Sequence, residues 1–237
     1  MAWYITQAPM AGALAYLHEF LMGEYERIFG RETMNALDCT IYNDPNAPCP
    51  RCYYDAPVRI RLHQETLDFW AQTVYQLSHE MTHYACLAVR GRPQGAVSWY
   101  EEVACEAMSL YALEYAAANW HNCWLYRINA RFDGSIRDYL NDLLKDTWTD
   151  GLARCRTVDA LLSYERAKLP ETQRTGHTRE RIRLYRAIRE APWAAGAIPY
   201  YCNFLRSDGV TVDFAAWRRA NPTNPLIPVL SEIQPVK

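Results

Sequence analysis

The sequence predicts a mostly helical α+β fold, with a small sheet ahead of one long helix and a helical C-terminal lobe. In several long segments, apolar residues recur at steps of three and four, which is typical of amphipathic helices. Two short segments in the first third have the composition of strands and flank a proline-rich loop. The chain has 237 residues, half of them hydrophobic, and can bury a substantial core. We expect one domain over 1–237, with one lobe at 1–120 and a helical lobe at 121–237.

The first predicted elements are one helix and two strands. Residues 10–29 show apolar positions interrupted by charged ones, as in an amphipathic helix, and Gly30 can end it. Residues 39–42 and 58–62 predict short strands on either side of the proline-rich loop. The second strand alternates apolar and basic residues, so we expect one of its faces to be exposed.

The longest predicted helix, residues 64–90, contains the segment H-E-M-T-H that begins at His79 and ends at His83. The two histidines are one turn apart and lie off the apolar stripe. Their nitrogens can therefore reach one tetrahedral metal ion at about 2.0–2.1 Å. Glu80 is rotated by about 100° from His79, so its carboxylate can approach a metal-bound water without coordinating the ion. Two ordinary histidines that share a helix face are the alternative explanation.

A second predicted helix follows closely and can supply the third ligand that such a metal site needs. It covers residues 98–120, and Ser98 can cap its amino end. The glycines and proline of 91–95 predict a helix stop and a turn, so the second helix can fold back beside the first.

The acidic residues of this second helix have the spacing of a metal site. Eighteen residues, 84–101, separate His83 from Glu102. Glu106 lies one turn further along and could orient a ligating histidine through a hydrogen bond. Glu101 is the rival ligand, and spacing does not exclude it. The motif and this spacing together resemble the gluzincins, the clan that contains thermolysin and the zinc aminopeptidases.

The resemblance implies a zincin-like fold, a zinc cofactor and a peptide or protein substrate. By this likeness, His79, His83 and Glu102 are the metal ligands and Glu80 is the general base. In zincins a strand ahead of the motif helix often binds extended substrate along its edge, and the strand at 58–62 has the corresponding place in the order of elements. A purely structural strand with solvated Arg59 and Arg61 is the alternative. The oxyanion would be stabilised by a side chain from the downstream lobe, for which the chemically suitable candidates are His177, Tyr185, Tyr200 and Tyr201. The chain lacks the Gly-x-Met-x-Asn segment of the zinc aminopeptidases.

Two other functions remain open at this stage. The chain could retain a zincin frame and bind a partner without cleaving it. It could also be a metal-dependent amidohydrolase in which an upstream cysteine joins the motif, as in peptide deformylase. Cys39 is at a suitable distance for that role, although its neighbours differ from the Glu-Gly-Cys-Leu-Ser segment of that enzyme.

The C-terminal half predicts further helices. They are expected at 134–148, 157–169 and 173–190, with a helical segment at 192–205 and a short helix that begins at 213–217. Four prolines after residue 221 predict an irregular tail.

Eight cysteines would permit disulfides, but a chain of this length that shows no signal peptide is typical of a reducing compartment. We therefore expect a cytoplasmic protein. Cys49 and Cys52 form a Cys-x-x-Cys pair that could hold a second metal with Cys39 and His63, while a disulfide and two free thiols are the alternatives. Four other cysteines are expected to be small core residues: Cys86, Cys105, Cys123 and Cys202.

Charge and hydropathy argue against two classes of partner. A net charge of −2 is too small to attract the protein over long range to nucleic acid or to a membrane surface. Residues 173–190 carry six arginines, but neighbouring glutamates favour a solvated face over a nucleic-acid site. No apolar segment is long enough to span a bilayer. The sequence leaves the oligomeric state open.

Overall fold

The computed structural model describes residues 3–6, 11–91, 96–145, 151–167 and 177–236. Most of these residues are helical, and a four-stranded sheet is built from the segment that precedes the two longest helices. The predicted mostly helical α+β fold is therefore confirmed.

The sheet contains β1 (Trp3–Ile5), β2 (Cys39–Asn43), β3 (Arg51–Tyr53) and β4 (Val58–Leu62) in the order β1-β2-β4-β3. β1, β2 and β4 run parallel, and β3 runs antiparallel to β4. Along β4 the apolar side chains are buried while the arginines between them are more exposed, as the alternation predicted.

The prediction that the strand at 58–62 offers an open edge is wrong. β4 lies between β2 and β3, so that Ile60 is opposite Ile41 on one side and Cys52 on the other. The alternation of a strand reports which of its faces is buried, but it carries no information on which strand lies beside it. The outer strand on this side is β3.

The described helices account for most of the chain. They are α1 (Ala11–Phe29), α2 (Arg31–Met34), α3 (Trp70–Arg90), α4 (Ser98–Ala118), α5 (Phe132–Leu144), α6 (Val158–Arg166), α7 (Thr178–Glu190), α8 (Phe214–Ala220) and α9 (Leu226–Ile233), with 3-10 helices at Trp120–Asn122, Trp124–Arg127, Leu152–Arg154 and Pro192–Phe204. Residues 10, 146–148, 168–169 and 173–176 of the predicted helices and residues 92–95 of the predicted turn lie outside the described residues. None of the helices described is both long enough and apolar enough to cross a membrane.

The C-terminal tail forms a helix, α9, where an irregular segment was predicted. Pro225 immediately precedes α9, and Pro228 lies in its first turn. The backbone N–H groups there have no intrahelical acceptor, so a proline removes no hydrogen bond. The apolar side chains of α9 are buried and stabilise it: Leu226, Ile227, Leu230 and Ile233.

α3 is buried on nearly all sides, and every residue from 76 to 87 is buried. α4 packs along it, and α1, the sheet and the segment 192–204 cover its other faces. α4 in turn contacts α5 and α7. Polar side chains on α3 are therefore held inside the protein, where they require partners.

The amino end of α4 is capped from a distant part of the chain. The Glu165 carboxylate of α6 accepts hydrogen bonds from the backbone N–H of Ser98 at 3.1 Å and of Trp99 at 2.5 Å. The prediction that the Ser98 side chain caps the helix is wrong, because Ser98 is already its first helical residue. A negative charge at this position also interacts favourably with the positive end of the helix dipole and so stabilises α4.

The close approach of α1 to the segment 192–204 can be tested at Gly196. A Cβ atom at Gly196 would lie 2.4 Å from the carbonyl oxygen of Ile28. We expect Gly196→Ala to lower the free energy of unfolding by about 1–3 kcal/mol, because backbone atoms must move. Urea unfolding followed by circular dichroism measures this change.

Gly23→Ala is the matched control, since a Cβ at Gly23 meets no atom within 4 Å. Gly23 lies inside α1, so alanine should raise the free energy of unfolding by roughly 0.5–1 kcal/mol. Equal stability of Gly196→Ala and the wild-type protein would contradict the described contact.

Candidate metal centre

The packing of α3 against α4 brings the two motif histidines together with the first turns of α4. His79 and His83 are both buried, with 1% and 7% of their surfaces exposed. Their ring centroids are 5.0 Å apart, with an angle of 63° between the ring planes. The predicted arrangement of two imidazoles one turn apart in one helix is therefore present, and it lies in the interior of the protein.

The Glu102 carboxylate faces the Nε2 atoms of both histidines. Its Oε2 is 3.3 Å from His79 Nε2, and its Oε1 is 3.3 Å from His83 Nε2. Two ligand atoms on tetrahedral zinc, each about 2.0–2.1 Å from the ion, lie about 3.3–3.4 Å apart. Oε2 is buried, yet it has no hydrogen-bond partner among the described residues. Each oxygen thus lies at the ligand–ligand distance of a tetrahedral site from one imidazole, although Glu102 is not in the group of residues whose single donor atoms all lie within 4.8 Å of one another.

Charge and exposure distinguish Glu102 from the two histidines. About a third of its side chain, 32%, is exposed, so it forms the solvent-facing side of the centre. Burial alone would raise the pKa of Glu102, but the two imidazoles that face it, His79 and His83, hold it well below its usual value. The carboxylate is therefore ionised, as a metal ligand must be.

Cys105 joins the centre, although the sequence predicted it to be a core residue. His79, His83 and Cys105 each bring a donor atom within 4.8 Å of the donor atoms of the other two. This buried group could hold a metal ion. Burial raises the pKa of the Cys105 thiol to about 12, against the opposing effect of His83. The signal in the sequence is the i, i+3 spacing from Glu102, which places both side chains on one face of α4.

Glu101 contacts the other nitrogen of His83. Its Oε2 lies 3.2 Å from His83 Nδ1, while Arg90 and the Tyr201 hydroxyl donate to its Oε1. Burial alone would raise the pKa of Glu101, but hydrogen bonding to His83 and the charge of Arg90 lower it. A carboxylate on Nδ1 fixes the tautomer of a histidine and leaves Nε2 available for a metal. Glu101 thus occupies the outer position that the sequence assigned to Glu106.

Glu106 itself pairs with α7. Arg181 donates to its Oε2, and His177 Nε2 lies 3.7 Å from its Oε1. Burial alone would raise the pKa of Glu106, but His177, Arg181 and the charge of His79 lower it to about 2. The ion pair anchors α7 to α4 one turn beyond the metal centre.

Glu80 is 1% exposed, and its Oε1 has no hydrogen-bond partner in the described part of the chain. A buried carboxylate oxygen without a donor is costly, and a catalytic role and a bound water or ion are among the explanations for such an atom. Cys52 of β3 lies within electrostatic reach of both Glu80 and His83. Burial raises the pKa of the Cys52 thiol, and the charge of Glu80 raises it further.

Tyr54, which follows β3, lines the same side of the centre. Its hydroxyl lies 3.3 Å from His83 Nδ1 and donates to Glu101 Oε2 at 3.4 Å. The guanidinium of Arg90 sits 5.7 Å from the centroid of its ring. Sequence reasoning missed Tyr54, because no local pattern connects it to a histidine in a later helix.

Of the four proposed oxyanion donors, Tyr201, Tyr185 and His177 have carboxylate partners, and Tyr200 is exposed. The Tyr201 hydroxyl is held by Glu101 and by the backbone N–H of Val97. The Tyr185 hydroxyl donates to a carboxylate near the far end of α4, and Tyr200 is 43% exposed. His177 is the fourth, and it faces Glu106.

The cysteines of the proline-rich loop form no second centre of this kind within the described ranges. All eight cysteines are free thiols. Cys39 is fully buried, and burial raises its pKa to about 12. Cys39 is not part of the group formed with His79 and His83, so it does not have the ligand position that the amidohydrolase alternative requires.

No protein-family model, curated protein or solved structure matches this chain. The likeness to the gluzincins therefore rests on the motif and on the spacing of its acidic residues.

The outer role of Glu101 can be tested by Glu101→Gln. We expect zinc affinity to fall by about 10–100-fold, because the amide loses the charge that orients His83. Competition with a chromophoric chelator measures the affinity, and thermal unfolding of the metal-free protein reports any loss of fold.

Glu114→Gln is the control, because Glu114 lies on the same helix and accepts a hydrogen bond from Tyr185 at 2.7 Å, away from the histidines. It should bind zinc like the wild-type protein. A Glu101→Gln variant that is folded and binds zinc with unchanged affinity would show that Glu101 does not support the centre.

Proposed function

We propose that this protein is a zinc-dependent hydrolase that cleaves peptide bonds, with His79, His83 and Glu102 as metal ligands and Glu80 as general base. The observation that carries the proposal is the Glu102 carboxylate, whose two oxygens lie 3.3 Å from the Nε2 atoms of the two histidines. The donor set of two imidazoles and a carboxylate is typical of catalytic zinc sites, which retain an open position for water.

The chemistry divides between the ion and the side chains around it. Zinc in such sites lowers the pKa of a coordinated water to about 7 and polarises a carbonyl oxygen. Glu80 accepts a proton from the attacking water and returns it to the leaving amine. Its buried Oε1, without a donor among the described residues, is available for that proton. Glu101 keeps His83 Nδ1 engaged, which leaves Nε2 as the nitrogen that would hold the ion.

A peptide substrate is supported by the position of β3. β3 is the outer strand of the sheet, and its second backbone edge has no strand partner among the described residues. Tyr54, directly after β3, contacts His83 and Glu101, and Cys52 within β3 is close enough to Glu80 and His83 for their charges to affect its thiol. An extended peptide that pairs with this edge would run past the histidines. The binding of extended substrate, which the sequence analysis assigned to residues 58–62, is therefore assigned to β3 in this proposal.

Glu80→Gln tests the catalytic assignment. We expect it to retain one zinc ion per chain and to lose peptide hydrolysis by about 10²–10⁴-fold, because the amide cannot accept the proton. Turnover is measured with an unfolded protein substrate, whose new amino termini are identified by mass spectrometry. Metal content is measured by atomic emission.

His79→Ala is the comparison variant and should lose both zinc and turnover. Suppose that wild-type protein binds zinc but yields the same substrate amino termini as Glu80→Gln. The chain is then a metal-binding protein without peptidase activity. That outcome would contradict the proposed function.

A further inference from the structure

Cys105 places a thiol among the donor atoms of the centre, beside the carboxylate of the proposed ligand Glu102. Its side chain is fully buried, and a donor atom of Cys105 lies within 4.8 Å of donor atoms of both histidines. On tetrahedral zinc, with a bond of about 2.3 Å to sulfur and 2.0–2.1 Å to nitrogen, these atoms lie roughly 3.5 Å apart. Binding one ion therefore requires these atoms, at most 4.8 Å apart, to approach by up to about 1.3 Å.

We propose that Cys105 is a fourth protein ligand, so that the resting centre holds its ion through two imidazoles, a carboxylate and a thiolate. This inference rests on the proposed function for the site and extends its ligand set. On binding, the S–H bond of Cys105 breaks, its proton leaves to solvent, and the sulfur electron pair forms the bond to the metal. No oxidant or reductant takes part.

The different burial of the two α4 ligands gives them different roles. Cys105 has no exposed surface, whereas 32% of the Glu102 side chain is exposed. Four protein ligands complete a tetrahedral zinc site, and catalysis requires an open position. Glu102 is the proposed ligand with a path to solvent, so it would be the one to make room for water, and His79, His83 and Cys105 would hold the ion.

A thiolate ligand also determines which metals the centre selects. Soft sulfur donors favour zinc and copper(I) over magnesium, calcium and manganese, which prefer oxygen. The thiolate therefore adds a preference for zinc that two histidines and a carboxylate would not give to the same degree.

Cobalt(II) substitution tests this ligand set independently of activity. A thiolate bound to cobalt(II) gives a charge-transfer band in the near ultraviolet, and the visible bands report tetrahedral coordination. We expect the charge-transfer band in the wild-type protein and in Glu102→Gln, and its loss in Cys105→Ser. Removal of even an outer partner weakens metal binding by about 10–100-fold, so Cys105→Ser should lower zinc affinity by at least that factor.

Cys52→Ser is the matched control, because Cys52 is also buried and lies close to His83 but outside the three-residue group. It should keep the charge-transfer band. Cys105→Ala provides a second variant should the serine hydroxyl disturb the packing, and circular dichroism reports the fold of each.

The outcomes separate this inference from the function on which it rests. Cobalt that binds in a His79-dependent manner without a charge-transfer band overturns the role of Cys105 and leaves the proposed function standing. A band that persists in Cys105→Ser but disappears in Cys52→Ser also overturns it. Absence of any His79-dependent cobalt binding overturns both.

Discussion

The packing of α3 against α4 is the contact on which the rest of the centre depends. It buries two imidazoles of α3 against the first turns of α4, where two carboxylates and a thiol face them. Because every residue from 76 to 87 of α3 is buried, these polar groups have little access to water and must find partners in the protein or in a bound ion. Glu165 holds the amino end of α4 in place, which is the end that carries the ligands.

Two adjacent glutamates differ in role because successive helical residues point about 100° apart. Glu101 turns inwards to His83 Nδ1, Arg90 and Tyr201, and its charge is fully enclosed. Glu102 turns to the Nε2 side of both histidines and keeps contact with solvent. One turn further, Glu106 is paired with Arg181 of α7. Each of the three carboxylates thus has cationic or imidazole partners, which is the condition for keeping charge inside a protein.

Much of this arrangement could be predicted from the sequence, because it depends on local spacing. The i, i+4 histidines and the distance to the acidic start of α4 are properties of two helices that follow one another closely in the sequence. The apolar periodicity located these helices to within a few residues at their termini, except that α3 begins at Trp70 and not at 64.

The features that the sequence did not reveal are those that depend on contacts between distant segments. The neighbours of β4 follow from how the strands are ordered, which no single strand encodes. The Glu165 cap joins residues more than sixty positions apart, and Tyr54 reaches a histidine from outside its helix. The helical spacing of Cys105 from Glu102 could have predicted its place at the centre, but a buried cysteine in an apolar helix is most often a packing residue.

The proposed ligand set requires a metal ion where α3 and α4 meet. Anomalous diffraction at the zinc edge, from crystals of the purified protein, locates such an ion. We expect one strong peak about 2.0–2.3 Å from His79 Nε2, His83 Nε2 and at least one donor atom of α4. A zinc-supplemented crystal with no peak there, and with Glu102 hydrogen-bonded directly to the two imidazoles, would contradict this ligand set.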